Sequence, residues 1–356
     1  MSFVVKRFLR LHDTFHNFHA SRAVFSITLT TVIGATPACL NAIAGAQDKK
    51  LAPMVVGYAA ISASFAPLWV AHDQGLFAKR GLDIKLAYIQ GSRVMLSALT
   101  AGEIQLFQGG AEGLIRLLSG GGDGVFIATQ YNRVGHYVLL TDPTITRLEE
   151  LRGKRIAIDP TSPPYGYMLK ALEQAGIRKD EVQFVQFGSA GQPERTAAVL
   201  RKQASATILS APNTYAAEKQ GLRKFSIIRD LGIRQLITVT GVTRKFVREK
   251  REATDAFLRG YVEGLAYVKS QKETTMKIIA KYTRQRDVEI LSKLYDELIP
   301  DLPRIPYTDE ASARATIDAM QSQGPLLPKV DVKGIYDNSL LRALETSGFV
   351  DRIAPR

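Results

Sequence analysis

Cysteine and histidine are nearly missing from this chain of 356 residues. There is one cysteine, Cys39, and there are five histidines. Cys39, His12, His16 and His19 all fall in the first 46 residues, so the remainder holds only His72 and His136. Beyond residue 46 a disulfide, a thiolate nucleophile and a cysteine metal site are therefore excluded. No histidine or acidic group has metal-ligand spacing. No Gly-x-Ser-x-Gly elbow presents a nucleophilic serine. His72, in "PLWVAHDQGLF", and His136, at the start of a strand, read as structural or exposed, and the pair Glu149-Glu150 sits at an exposed helix end. The glycine run "SGGGDG" (119–124) lacks the Lys-Ser/Thr of a phosphate loop and lies between a helix and a strand. It reads as a helix cap and turn. The sequence implies no cofactor, no metal and no enzyme.

Acidic residues are also scarce: 34 Asp and Glu stand against 47 Lys and Arg, a net charge of +13. The basic residues are scattered and not interleaved with aromatics. The densest run, "RKFVREKR" (244–251), reads as a solvated helix start, so no nucleic-acid partner is expected. Long apolar runs are lacking except near the start. Lys6, Arg7, Arg10 and Arg22 precede an uncharged stretch containing "AVFSITLTTVI", and Ala44-Gly45-Ala46 precede Gln47. That is the pattern of a secretory signal peptide over residues 1–46. The stretch also has the length of about 20 residues that a bilayer span needs. Its Ser, Thr, Pro, Gly and Asn rank an uncleaved anchor second. A lipidated Cys39 ranks third, because Thr36-Pro37-Ala38 lacks the leucine of a lipobox. The expected place is the periplasm.

Past residue 46, short runs rich in Val, Ile, Phe and Tyr alternate with helical patterns. The strand candidates are 54–59, 83–88, 104–107, 125–129, 136–141, 155–158, 182–187, 206–209, 225–228 and 236–242. Alternation of this kind predicts an α/β fold with largely parallel sheets. After Val242 the chain is nearly all helical, with an apolar stripe at Phe257, Leu258, Tyr261, Val262, Leu265 and Val268.

Several strand ends run into helices that open with small or hydroxyl residues: "ISASFAPLWVA", "IQGSRVMLSAL", "QGGAEGLIRLL", "PTSPPYGYML", "GSAGQPERTAAVL" and "SAPNTYAAEKQG". In open α/β sheets ligands bind beyond the carboxyl ends of strands. Helix starts there offer free N–H groups and a positive dipole end to an anion. Six such loops, three in each half, predict two facing half-sites.

The blocks "PLWVAHDQGLFAKRGLDIKLAYIQGS", "LSALTAGEIQLFQGGAEGL", "LEELRGKRIAID", "GSAGQPERTAAVLRKQASATILSAPNTYAAEKQG" and "GVTRKFVREKREATDAFLRGYVEGLAYV" resemble, in order and spacing, the SsuA/THI5-like solute-binding proteins of ABC importers, the nitrate/sulfonate/taurine group. The resemblance implies a two-lobed type 2 periplasmic-binding-protein fold, each lobe a mainly parallel sheet flanked by helices, with a helical C-terminal region. Lobe I would be residues 47–141 plus 237–356, and lobe II the inserted residues 142–236. Hinge closure would bury a small, anionic organic ligand between them. Carried over motif by motif, lobe I contacts would come from Ser62, Ser64, Gly91, Ser92, Arg93, Gly110 and Ala111, with Gln130 at the border. Lobe II contacts would come from Thr161, Ser162, Tyr165, Gly188, Ser189, Ser210 and Asn213. Each residue also has a structural reading: Ser162 as a helix cap, Gly91 and Gly110 as turn residues, Tyr165 as core. The implied partners are an ABC permease and its ATPase, which would be the protein's contact with the membrane, and the protein would act as a monomer. Two departures, Ser205 and Thr207 in "ASATILSAPN" and the proline-rich "PTSPPYG", argue against a nitrate-sized or taurine-sized ligand. The alternatives are a THI5-type pyrimidine-precursor synthase, which needs a cysteine-rich motif, and a ligand sensor acting through a separate receptor.

Overall fold

The computed structural model describes residues 51–135, 137–160, 162–187, 191–211, 213–225, 227–323 and 330–353. The expected signal peptide, with Cys39, lies outside them.

Two five-stranded sheets organise the chain. The first has the order β2-β1-β3-β10-β4 and the second β7-β6-β8-β5-β9. Their strands are β1 (Ala52–Tyr58), β2 (Leu82–Tyr88), β3 (Leu106–Gly109), β4 (Val125–Arg133), β5 (Tyr137–Thr141), β6 (Arg155–Ala157), β7 (Gln183–Val185), β8 (Ala206–Ser210), β9 (Arg223–Phe225) and β10 (Arg234–Val242). Inside each sheet three strands run parallel: β2-β1-β3 in the first and β7-β6-β8 in the second. The fourth place in each goes to an antiparallel strand, β10 in the first sheet and β5 in the second. The two sheets are therefore copies of one topology.

The chain changes sheets between Arg133 and Tyr137 and again between Phe225 and Arg234. The expected boundaries fell a few residues later, at 141 and 237. Strand β5 pairs with β8 and β9 throughout, so it belongs wholly to the second sheet. One strand expectation is corrected outright. Residues 225–228 were expected as a strand, but pairing of β9 with β5 stops at Phe225, and helix α7 (Ile227–Asp230) follows. One helical turn puts Ile228 fully into the core.

Connecting helices α1 (Ala66–Asp73), α2 (Ser92–Thr100) and α3 (Glu112–Ser119) follow β1, β2 and β3. Helices α4 (Pro163–Gln174), α5 (Gln192–Leu200) and α6 (Asn213–Lys219) follow β6, β7 and β8. After β10 come α8 (Arg244–Glu249), α9 (Arg251–Ser270), α10 (Lys272–Thr283), α11 (Val288–Leu298), α12 (Glu310–Gln323), α13 (Ser339–Thr346) and α14 (Phe349–Ile353). This helical layer covers the first sheet: α9 and α10 pack on α1, and α12 packs on β10. Among the described residues no helix is long and apolar enough to cross a membrane.

The apolar stripe of α9 is buried as its spacing predicts, from Phe257 through Val268. Gly260, against Phe77, and Gly264 let that stripe approach its neighbours. A Cβ on Gly264 would lie 2.5 Å from the Pro67 carbonyl oxygen and 2.9 Å from Ala71 Cβ, both on α1. Helix α10 is tied to the far end of α1 by a polar cluster. Asp73 accepts from the Tyr282 hydroxyl (2.9 Å) and Lys281 Nζ (2.6 Å), and its Oδ1 lies 3.0 Å from His72 Nδ1. The Tyr282 ring stacks on Trp69 at 4.6 Å. Burial alone would raise the Asp73 carboxyl, but the bonds from His72, Lys281 and Tyr282 outweigh it and hold it at about 2.

Two outcomes follow. Gly264→Ala should lower stability by about 1–3 kcal/mol in urea unfolding, because overpacking against backbone outweighs the gain in helix propensity. An unchanged midpoint would show that α1 yields freely. Asp73 has a carboxyl pKa depressed on folding, so its contribution is complete above the ordinary carboxylate value and lost as pH falls toward 2. Asp73→Asn should therefore cost about 1–2 kcal/mol at pH 7, and the gap should close between about pH 4 and pH 2. A gap that persisted at pH 2 would assign the loss to packing.

Candidate functional site

Six strand-to-helix turns meet around one cleft of about 1190 Å³. The first sheet contributes the turns after β1, β2 and β3, and the second those after β6, β7 and β8. Strand β10 contributes Leu236, Ile237 and Thr238 at the floor, where the two halves join. Its pairing with β4 slips between Arg234 and Ile237, and Thr238 takes a φ of 52°. A β-branched residue rarely adopts that left-handed conformation, so the bulge holds local strain at the cleft.

A chain of hydrogen bonds crosses the cleft on one side. Tyr261, from α9, donates its hydroxyl to Gln130 Oε1 (2.7 Å), and Gln130 Nε2 donates to the Ser64 carbonyl (2.6 Å). Ser64 Oγ donates to Ser62 Oγ (3.2 Å), and Ser62 caps the short 3-10 turn 63–65. Ser62 Oγ then reaches the second lobe, 3.2 Å from Ser210 Oγ and 3.2 Å from the Ala211 carbonyl. There Gln192 clasps Ser210, with Nε2 donating to its Oγ (2.9 Å) and Oε1 accepting from its N–H (2.7 Å). Ser62, Ser64 and Ser210 are all buried.

The cleft carries both signs of charge. Arg195, in the first turn of α5, is buried and donates Nη2 to the Ile208 carbonyl (3.1 Å). Burial lowers its pKa, while Tyr137, Asp159 and Glu194 act to raise it. Arg93 and Arg116 line the first-lobe side and are exposed. Glu112 lines the same side, with Oε1 accepting from Gln235 Nε2 at 2.9 Å. Burial pushes the Glu112 carboxyl up, against its own N–H, Gln235 and Arg116. Tyr137 feels both lobes: burial takes it to about 12, with Glu112 raising it and Arg195 lowering it. Tyr88 is raised by burial and by Glu194.

Of the residues expected from sequence, Ser62, Ser64, Gly91, Ser92, Arg93, Gly110, Ser162, Ser210 and Asn213 line this cleft. Three others do not. Ala111 is fully buried behind Gly110. Gln130 points inward, spent on Tyr261 and Ser64. Tyr165 is in the core, edge-on to Phe184 at 4.8 Å, as its place on an apolar helix face dictates. Ser162 holds the N-cap place of α4, but its hydroxyl donates to the Asp159 carbonyl (2.7 Å) instead of capping. Thr161, Gly188 and Ser189 lie outside the described residues. Sequence reasoning passed over Glu112, Gln192 and Arg195. All three stand in the first turn of a helix that follows a strand, and that position was the available signal.

Residues 62–274 match the NMT1/THI5 like family. A curated relative, the putative aliphatic sulfonates-binding protein of Escherichia coli (strain K12), is 24% identical over 279 residues, which is 74% of this chain and 83% of that one. The solved periplasmic aliphatic sulphonate binding protein SsuA from Escherichia coli superposes with a TM-score of 0.65 at 21% identity, over 80% of this chain and 91% of that one. The desulfurization enzyme DSZB superposes with a TM-score of 0.63 at 14% identity, over 83% and 99%. These likenesses give the two-lobed periplasmic-binding-protein fold. The family match runs from the serine turn after β1, through both sheets, to the helix that packs on α1, and the chain belongs to the NMT1/THI5 like family.

Proposed function

We propose that the protein is an exported, non-enzymatic solute-binding component of an ABC importer. It takes up a small organic anion of the sulfonate or carboxylate class in the interlobe cleft and delivers it to a permease. One observation carries this reading: six strand-to-helix turns, three from each sheet, converge on one cleft with a buried arginine among them. Helix starts offer N–H donors, and Arg195 offers a planar fork that matches a carboxylate or sulfonate. The name of the Escherichia coli relative, an aliphatic sulfonates-binding protein, supports the ligand class and the transport role. The likeness to a desulfurization enzyme supports nothing beyond fold, and the one cysteine of this chain, Cys39, lies in the leader-like segment.

Cleft closure should make binding visible as stabilisation. A panel of sulfonates, carboxylates and pyrimidines at about 100 times Kd should raise the unfolding free energy by about 2.7 kcal/mol for the true ligand class. No shift across the panel, or turnover of any member, would reject the reading. Arg195→Lys keeps the charge and loses the fork. It should weaken binding of the anion by about tenfold, read by calorimetric titration. Unchanged affinity with an intact fold would remove Arg195 from the site.

A further inference from the structure

A strip of charge joins the two halves of the chain away from the serines. Its first-lobe side is α11. Ile290, Leu291, Leu294, Tyr295 and Leu298 bury one face of that helix, and the Tyr295 hydroxyl donates to the Val268 carbonyl of α9 (2.7 Å). The helix is thereby fixed to the first lobe. Glu289, Lys293 and Glu297, four residues apart, share another face, and Asp287 caps the helix start. The second-lobe side is the end of α6 with β9. Ala217 of α6 packs with Leu140 and Leu209 in the second-lobe core. Across the gap, Lys219 donates to Asp287 and lies 3.8 Å from Glu289. Among the described residues it pairs with no carboxylate of its own lobe. Lys224 stands 3.9 Å from Glu297 and also 3.9 Å from Glu218 of its own lobe, with its ammonium 5.9 Å from the Tyr215 ring centre. The Asp287 bond holds the Lys219 amine above its ordinary pKa, and Lys219 holds the Asp287 carboxyl below its own.

We infer that Lys219 and Lys224 are positioning residues that set the angle between the lobes through a two-point ionic contact with α11. Glu289 and Glu297 lie about 12 Å apart along the helix, at 1.5 Å per residue. Two contacts that far apart resist a rotation that one contact would permit. Each pair alone is weak, because all these groups are partly exposed and salt screens them. The contact therefore biases the lobes without locking them. Its purpose rests on the solute-binding reading, since the cleft whose width it sets is the one proposed to hold the ligand.

The test needs no ligand. Spin labels are placed on Lys85→Cys and Glu173→Cys, one exposed site in each lobe, in a Cys39→Ala background, and the distance between them is measured by pulsed electron spin resonance. With Lys219 and Lys224 intact, the distance distribution should be narrow at about 20 mM salt and about twice as wide at about 1 M, where the Debye length is about 3 Å. Lys219→Gln with Lys224→Gln should be wide at both salt concentrations. Lys224→Glu alone should widen the distribution, and adding Glu297→Lys should narrow it again, a rescue that a role confined to Glu218 and Tyr215 would not give. A distribution that is wide at low salt or ignores salt with both lysines intact overturns the inference, even if the variants fail to fold. So does a folded double-glutamine variant with the narrow distribution, or a widening by Lys224→Glu that Glu297→Lys leaves in place. Each of these results leaves the solute-binding reading standing, because the ligand panel tests that separately.

Discussion

Each sheet takes its fourth strand from a chain that has just left the other sheet. That single constraint organises the molecule. Strand β5 enters the second sheet after β4 has closed the first, and β10 returns to lie between β3 and β4. Both borrowed strands run antiparallel to their neighbours. The parallel strands on either side then end toward the same space. Six helix starts converge there because two topologically equivalent sheets have been joined in this way, not because any one loop is specialised.

One of the contacts between the lobes is a pair of serines. Ser62 and Ser210 are neutral hydroxyls, and a neutral hydrogen bond contributes only about 0.5–1.5 kcal/mol net. Behind them the anchoring is firmer. Tyr261 and Gln130 hold Ser64 from the buried first-lobe side, and Gln192 holds Ser210 by two bonds from the other. Each serine is thus held from within its own half of the chain, and ion pairs from Lys219 to Asp287 and from Lys224 to Glu297 join the halves elsewhere. The strained backbone at Thr238 sits on the returning strand, at the floor of the cleft.

Much of this architecture was legible in the sequence. Strand-helix alternation gave the α/β class, and the hydroxyl-rich turns marked where the cleft would be. Apolar spacing on α9 predicted the buried face from Phe257 to Val268, and spacing on α4 already placed Tyr165 on the core side. What stayed hidden depended on partners distant in the chain. Gln130 looked like a polar residue at a strand end, yet its amide is bonded to Tyr261, 131 residues away. The sheet change at 134–136 was hidden because β5 is as apolar as a first-lobe strand, and pairing, not composition, decides its sheet. Residues 225–228 read equally as strand or helix, as short apolar runs do.

Arg93 was read from sequence, but Arg195 and Glu112 were not, and the reason is physical. A sequence shows that Arg195 and Glu112 begin helices, where an acid is favoured by the dipole and an arginine is not. It does not show that Arg195 is buried against the Ile208 carbonyl while Glu112 leans on Gln235. Those environments make the two residues informative. Burial lowers the Arg195 pKa, and Tyr137, Asp159 and Glu194 act against it. Tyr137 feels that guanidinium and the Glu112 carboxylate together. Opposite charges thus reach one hydroxyl from opposite lobes, and a ligand seated beside it would meet a positive group on one side and a negative one on the other.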